Sequence, residues 1–344
     1  MSANDYLIEA TTRHQIFVQR FGGGEVRKIL PFLRAMALEL NKKLSSENMT
    51  EFSRKRAMIF SQELGQIIAE AIGGIQKQIV LDMTDFALYE AEFIQKVLQG
   101  AVTVKTVGAT PEVLRAAISK VPMNLISGKK LEKLTMQQAF KGFANSASNA
   151  TAIRKRIQAG AAQGMTNQQI TRDILRFSGG RTKANAESLV RTVTNHIAGV
   201  ASDAVAKANE DILEGEVVIA TLDDATTLTC AGYDQEVFPI GVGPVFPIHW
   251  RCRTKRVMKI SKKYQALEIE GQRPSKGDDG KKVVGGKKSY GGFLKDQSAE
   301  FQDRAIGPER AKLFRGGMKI DKFTDDNGIL LTLKELKENE GITL

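Results

Sequence analysis

Between Ile29 and Ile79 the apolar residues recur at helical spacing, and nothing else in the chain restricts its fold so strongly. Ile29, Leu33, Ala37, Leu40 and Leu44 make one stripe, and Phe60, Leu64, Ile68, Ile72, Ile75 and Ile79 make a second. Steps of three and four place these side chains on one face of an α-helix. Long helices with a single apolar face bury it against another helix, either in the same chain or on a partner. The sequence leaves both open. Ser45-Ser46-Glu47-Asn48 separates the two stripes, Gly22-Gly23-Gly24 is expected to break the first helical stretch, and Pro31 to bend it or stand near its start.

Helix-start chemistry continues beyond residue 100. Thr110-Pro111-Glu112 offers a capping hydroxyl followed by proline at the first helical position. Thr166 and Gln169 have the spacing of a capping box ahead of Ile170, Ile174 and Phe177, with Ser178-Gly179-Gly180 expected to close that helix. A further helix puts Leu189, Val193, Ile197, Val200 and Ala204 on one face. The period then changes. Residues 216–221, 236–238 and 255–260 are rich in β-branched residues and read as strands. Leu331 to Leu336 reads as a brief strand passing into a helical turn. The fold class is therefore α+β, with a mainly helical N-terminal half and a compact α+β core with short strands. A basic Gly/Lys-rich linker and a small C-terminal tail follow. The expected segments are 1–105 (helical), 106–180 (helical connector), 181–260 (core), 261–300 (flexible linker) and 301–344 (tail).

The 344 residues carry a net charge of +11, and that excess is concentrated. Between Arg251 and Lys295 fourteen basic residues face four acidic ones, an excess of ten. A polyanion such as DNA would lower the cost of that density by counterion release. Lys262, Lys263, Lys281, Lys282, Lys287 and Lys288 are the candidate DNA contacts, and a solvated loop with spare lysines is the bland alternative. No run of eighteen apolar residues is present, so no spanning helix is expected. The start Met1-Ser2-Ala3-Asn4-Asp5 does not read as a signal peptide. Two cysteines make no disulfide framework, which fits a reducing cytosol. The glycine-rich stretches fail as phosphate loops, because Ser275 and Lys282 stand where glycine and a hydroxyl are required.

Both cysteines, one of three histidines and the single tryptophan fall between Cys230 and Cys252. A hairpin through Gly241-Val242-Gly243-Pro244 can bring Cys230, His249 and Cys252 together. Two thiolates and an imidazole suit zinc, and a closed site needs a fourth ligand from Asp223, Asp234 or water. Three other readings stay open. One is a structural knot in which His249 and the aspartates bond turn backbone while the thiols pack as small apolar groups. Another is a Cys230–Cys252 disulfide. The last is a nucleophile, base and orienting carboxylate formed by Cys230, His249 and Asp223, for which no oxyanion-hole signature is present. His14 and His196 lie in helical stretches without companion ligands and read as surface or satisfied helix histidines.

The run Thr221-Leu222-Asp223-Asp224-Ala225-Thr226, Cys230, Val237-Phe238 and His249-Trp250-Arg251-Cys252-Arg253 resembles the signature of the phage Mu F-like head morphogenesis proteins, "T-L-D-x-x-T…C…G…V-F…P…H-P-x-C-R-C". Trp250 stands where that family usually has proline, and Thr254 where it often has a last cysteine. Ala186 to Thr192 is similar to the family's "A-x-x-I-A-R-T" helix, Gly164 to Ile170 to its "G-x-S-x-x-x-I" start, and Ile306 to Arg310 with Phe314 to Gly317 to a tail after the signature. Residues from about 150 to 344 are covered; the first 150 carry no such motif. The resemblance implies a minor head protein that acts in capsid assembly near the portal vertex, without enzymatic activity. It implies Asp223, Asp224, Cys230, His249, Cys252 and Arg253 as structural signature residues. The implied partners are portal and capsid proteins, packaged double-stranded DNA and further copies of itself, with no membrane anchor. The implied location is the inside of the virion head, after synthesis in the host cytoplasm. A toxin or cysteine hydrolase, and a DNA-binding module without a capsid role, are the alternatives.

Overall fold

The computed structural model describes residues 3–147, 149–266 and 271–339. In chain order the helices and strands are α1 (Ala3–Ser45), α2 (Arg54–Ala101), α3 (Pro111–Lys120), β1 (Met123–Ser127), β2 (Lys130–Leu134), α4 (Met136–Ala147), α5 (Ala150–Ala162), α6 (Asn167–Ala208) and β3 (Leu213–Ile219). There follow α7 (Leu228–Gly232), β4 (Val237–Phe238), β5 (Lys255–Ile260), β6 (Gln272–Pro274), β7 (Val283–Gly285), α8 (Tyr290–Lys295), α9 (Ala299–Ile306), α10 (Pro308–Arg315) and α11 (Leu333–Asn339). The class is α+β, as expected. No helix among the described residues is long and apolar enough to cross a membrane.

Contacts divide the chain into two units, Met1–Gln19 with Phe86–Lys133 and Asn195–Leu344, and Arg20–Asp85 with Leu134–Thr194. The five consecutive segments expected from sequence do not coincide with them, because α1, α2 and α6 each supply residues to both units.

In the second unit α1 and α2 run antiparallel. Lys28 pairs with Asp82 at 3.1 Å and Lys43 with Glu63 at 3.1 Å. Between these pairs, a Cβ on Gly74 would sit 2.9 Å from the Phe32 ring, so only glycine admits that approach. Ile29, Leu33, Leu40 and Leu44 on α1 and the stripe from Phe60 to Ile79 on α2 are all buried. The stripes are thus covered within the chain. Two sequence breaks are absent: α1 continues through Gly22-Gly23-Gly24, and α6 through Ser178-Gly179-Gly180. Glycine inside a helix costs about 1 kcal/mol relative to alanine, but buried apolar positions on either side hold both helices through these points. Pro31 lies inside α1. The capping box at the head of α6 forms as expected, with the Gln169 amide nitrogen donating to Thr166 Oγ1 (3.3 Å) and the Thr166 amide nitrogen to Gln169 Oε1 (2.7 Å).

The first unit is built on an antiparallel sheet of order β4-β3-β5, with Val217 opposite Val257 and Glu216 opposite Met258. Strand alternation in β3 sends its side chains into two cores. Val217 and Ile219 join Leu7, Ile94, Leu98, Ala201 and Val205 from α1, α2 and α6. Val218 and Ala220 instead meet Cys230, Phe246, Ile248 and Cys252. This second face positions the candidate site. At Gly215 a Cβ would lie 2.5 Å from the Phe238 carbonyl oxygen, which fixes glycine beside β4.

The stretch expected as a flexible linker is ordered where described. Strands β6 and β7 pair, and Arg273, Tyr290, Phe293 and Leu294 are buried. The glycine and lysine content hid these anchors. The C-terminal segment is likewise packed, with Phe301, Ile306, Phe314, Phe323 and Leu336 sharing an apolar cluster with Leu222, Leu228 and Tyr290.

Candidate metal centre

Cys230, His249 and Cys252 converge, with one candidate ligand atom from each lying within 4.8 Å of the others. Thr227 caps the short helix α7, its hydroxyl accepting from the Cys230 amide nitrogen at 3.3 Å, and this presents the Cys230 thiol beneath the sheet. A tight turn returns the chain on the other side. The Cys252 amide nitrogen donates to the His249 carbonyl at 3.1 Å, and Arg251 adopts a positive φ of 62°. Cys230 Sγ lies 3.2 Å from His249 Nε2 and 3.6 Å from Cys252 Sγ.

A disulfide requires about 2.05 Å between sulfurs, so these are two free buried thiols. A tetrahedral zinc with Zn–S near 2.3 Å keeps two thiolates roughly 3.7–3.8 Å apart, close to the observed spacing. His249 Nδ1 lies 2.9 Å from the Trp250 carbonyl oxygen. A carbonyl only accepts, so Nδ1 carries a proton, and an Nε2 without one turns its lone pair toward the sulfurs. That tautomer, fixed by a backbone carbonyl, is the one a metal ligand needs. The donor set fits zinc with three protein ligands.

Neither Asp223 nor Asp234, the aspartates expected as a possible fourth ligand, joins the three. Asp223 takes a bidentate pair from Arg253 (2.5 and 2.9 Å), and its Oδ1 also accepts from the Ala225 amide nitrogen (3.1 Å) and the Thr226 hydroxyl (3.2 Å). Asp234 receives Arg273 (3.1 Å), the Ala220 amide nitrogen (2.7 Å) and the Tyr290 amide nitrogen (2.7 Å). Both carboxylates therefore act as clamps on the turns around the thiols. The hydroxyls of Thr227 and Thr254 stand beside the Cys230 thiol instead. Thr254 thus occupies the neighbourhood where a fourth thiolate would sit.

Burial dominates the Cys230 thiol and, with the nearby Cys252, pushes its pKa up. Burial also opposes the Cys252 thiolate, but hydrogen bonds from Cys230 and His249 outweigh it and draw that pKa down. Burial opposes protonation of His249 as well, yet its contact with Cys252 lifts its pKa above the ordinary value. The arrangement favours the thiolate at Cys252 and disfavours it at Cys230.

The remaining signature residue, Asp224, pairs with Arg304 at 2.9 Å on the surface. The candidate DNA contacts are scattered. Lys281, Lys282 and Lys287 are exposed, Lys288 pairs with Asp296 at 2.8 Å, Lys263 lies over the Tyr264 ring, and Lys262 is exposed nearby. His196 is buried in α6, donating through Nε2 to the Val121 carbonyl (3.0 Å), and burial lowers its pKa to about 4. His14 is also no surface residue, since it contacts the buried Glu90 at 2.6 Å.

Sequence reasoning missed the pair Arg273–Asp234, whose side chains are 1% and 0% exposed. Arg273 also donates to the Ala220 and Lys288 carbonyls. It was one basic residue among fourteen, and nothing in its neighbours marked it as internal. Tyr290, donating to the Asp223 carbonyl at 2.9 Å, was missed for the same reason.

No family model matches this sequence, and no curated protein and no solved structure is significantly similar to it.

Proposed function

We propose that this chain is a head morphogenesis, or minor head, protein that acts in capsid assembly near the portal and contacts packaged DNA. One observation carries the reading. The residues of the resembled signature, far apart in sequence, fold into a single locked unit: Cys230, His249 and Cys252 meet beneath the sheet, and the Asp223–Arg253 pair ties the start of the signature to its end. A signature built this way holds a fold rather than presenting a reactive group. Both thiols are buried, which favours a structural role over a cysteine nucleophile. Zinc bound by Cys230, His249 and Cys252 would crosslink α7 to the turn before β5. The exposed lysines 281, 282 and 287 near β7 support proximity to nucleic acid.

The test is composition of the particle. Mass spectrometry of purified virions should detect this chain in a few copies per head. Its absence from virions that package DNA normally would overturn the reading.

A further inference from the structure

Within the first unit, a cavity of about 220 Å³ lies between the N-terminal part of α1 and the end of the β3–β5 sheet. Its walls are mostly apolar, formed by Ile16, Ile219, Ala220, Val257 and Pro274. Among the described residues, three cations line it, Arg253, Lys255 and Arg273, and no carboxylate does. Two of these are already neutralised, Arg253 by Asp223 and Arg273 by Asp234. Lys255 is different. Its ammonium makes no hydrogen bond or ion pair with any described residue. Its electrostatic partner Glu90, bound to His14 through Oε1 at 2.6 Å, acts on it without a direct ion pair. Burial also draws its amine pKa down. An ammonium that faces an apolar cavity without a hydrogen-bond acceptor is costly, and that cost falls if a ligand supplies the acceptor.

We propose that this cavity binds a small amphiphilic carboxylic acid as its anion, with the carboxylate on the Lys255 ammonium and the apolar body along Ile16, Ile219, Val257 and Pro274. Among the described residues that line the cavity, one cation lacks an ion pair, which suits a monoanion better than a phosphate dianion. Size sets the body. A cavity of about 150 Å³ holds benzene, so this one accommodates a ligand of roughly ten non-hydrogen atoms, the size of octanoate.

Calorimetric titration of the full chain with octanoate and with octanol tests the assignment. Octanoate should bind one to one, about tenfold or more tighter than octanol, because a charge-assisted hydrogen bond is present only with the anion. Lys255→Met should erase that preference. Ile16→Trp, on a half-exposed helix position, should fill the cavity and abolish binding while thermal unfolding stays unchanged. Octanoate binding no tighter than octanol, unaltered binding by either variant, or no binding at millimolar ligand overturns the proposal. The octanol comparison and the Ile16 variant decide the matter even if Lys255→Met fails to fold.

Discussion

At the scale of single residues, the Cys230–His249–Cys252 cluster is governed by which group holds a proton. A cation that binds there must displace the proton that burial keeps on Cys230. Zinc affinity should therefore fall as pH falls, measured by competition with a chromogenic chelator. Thr254→Cys should raise that affinity at least about tenfold by adding a thiolate where a hydroxyl now stands. Chain purified without chelator that holds far less than one zinc would leave the cluster as a hydrogen-bonded knot alone. The Asp234–Arg273 pair gives a second expectation. Removing one partner of a buried ion pair strands the other, so Asp234→Ala should destabilise the fold by about 3–5 kcal/mol in urea titration. The convergence of Cys230, His249 and Cys252 was legible because rare residue types were packed into a short span. The clamps were not. Aspartate and arginine are common on surfaces, and only their fold-determined neighbours show that Asp223 and Asp234 serve arginines rather than a metal.

At the scale of elements, the helical stripes and the strands β3 and β5 were readable because apolar spacing reports directly which face is buried. Breaks were misread where a long buried face outweighs a local penalty, as at Gly22-Gly23-Gly24 in α1. The opposite error occurred at β6, β7 and α8, where a few anchors order a segment whose composition looks like linker. That order changes the expectation for the lysines. Lys281, Lys282 and Lys287 are displayed next to a short paired ribbon. Replacing them and Lys288 with glutamine should weaken DNA retention and reduce the slope of affinity against salt, with unfolding unchanged. Wild-type protein that fails to retain DNA at about 50 mM salt would remove nucleic acid from the role of this surface.

At the scale of the whole molecule, stability depends on acids enclosed near the sheet. Burial pushes Glu216 up to about 7 and Asp203 to about 6, and each acid's charge is disfavoured despite Arg256. Both values lie above those of the unfolded chain, so their contribution is complete at low pH and is lost as pH rises through about 6 to 7. The urea midpoint should therefore rise on going from pH 8 to pH 6, and the double variant Asp203→Asn, Glu216→Gln should flatten that rise. Below this window His196, buried as the neutral ring, acts in the opposite direction. Interleaved units were beyond the reach of sequence because they depend on which parts of three long helices share a neighbourhood. Their start has a bearing on biosynthesis. Asn4 brackets the backbone of Ile260, accepting from its amide nitrogen at 2.6 Å. Glu9 accepts from the Gln272 amide nitrogen at 3.0 Å. During synthesis Asn4 and Glu9 thus wait for partners made some 260 positions later. The first unit's interior is incomplete until residues near 260–272 have been translated. Truncating the first helix would then leave the late-made strands without their cover, instead of liberating a self-sufficient core.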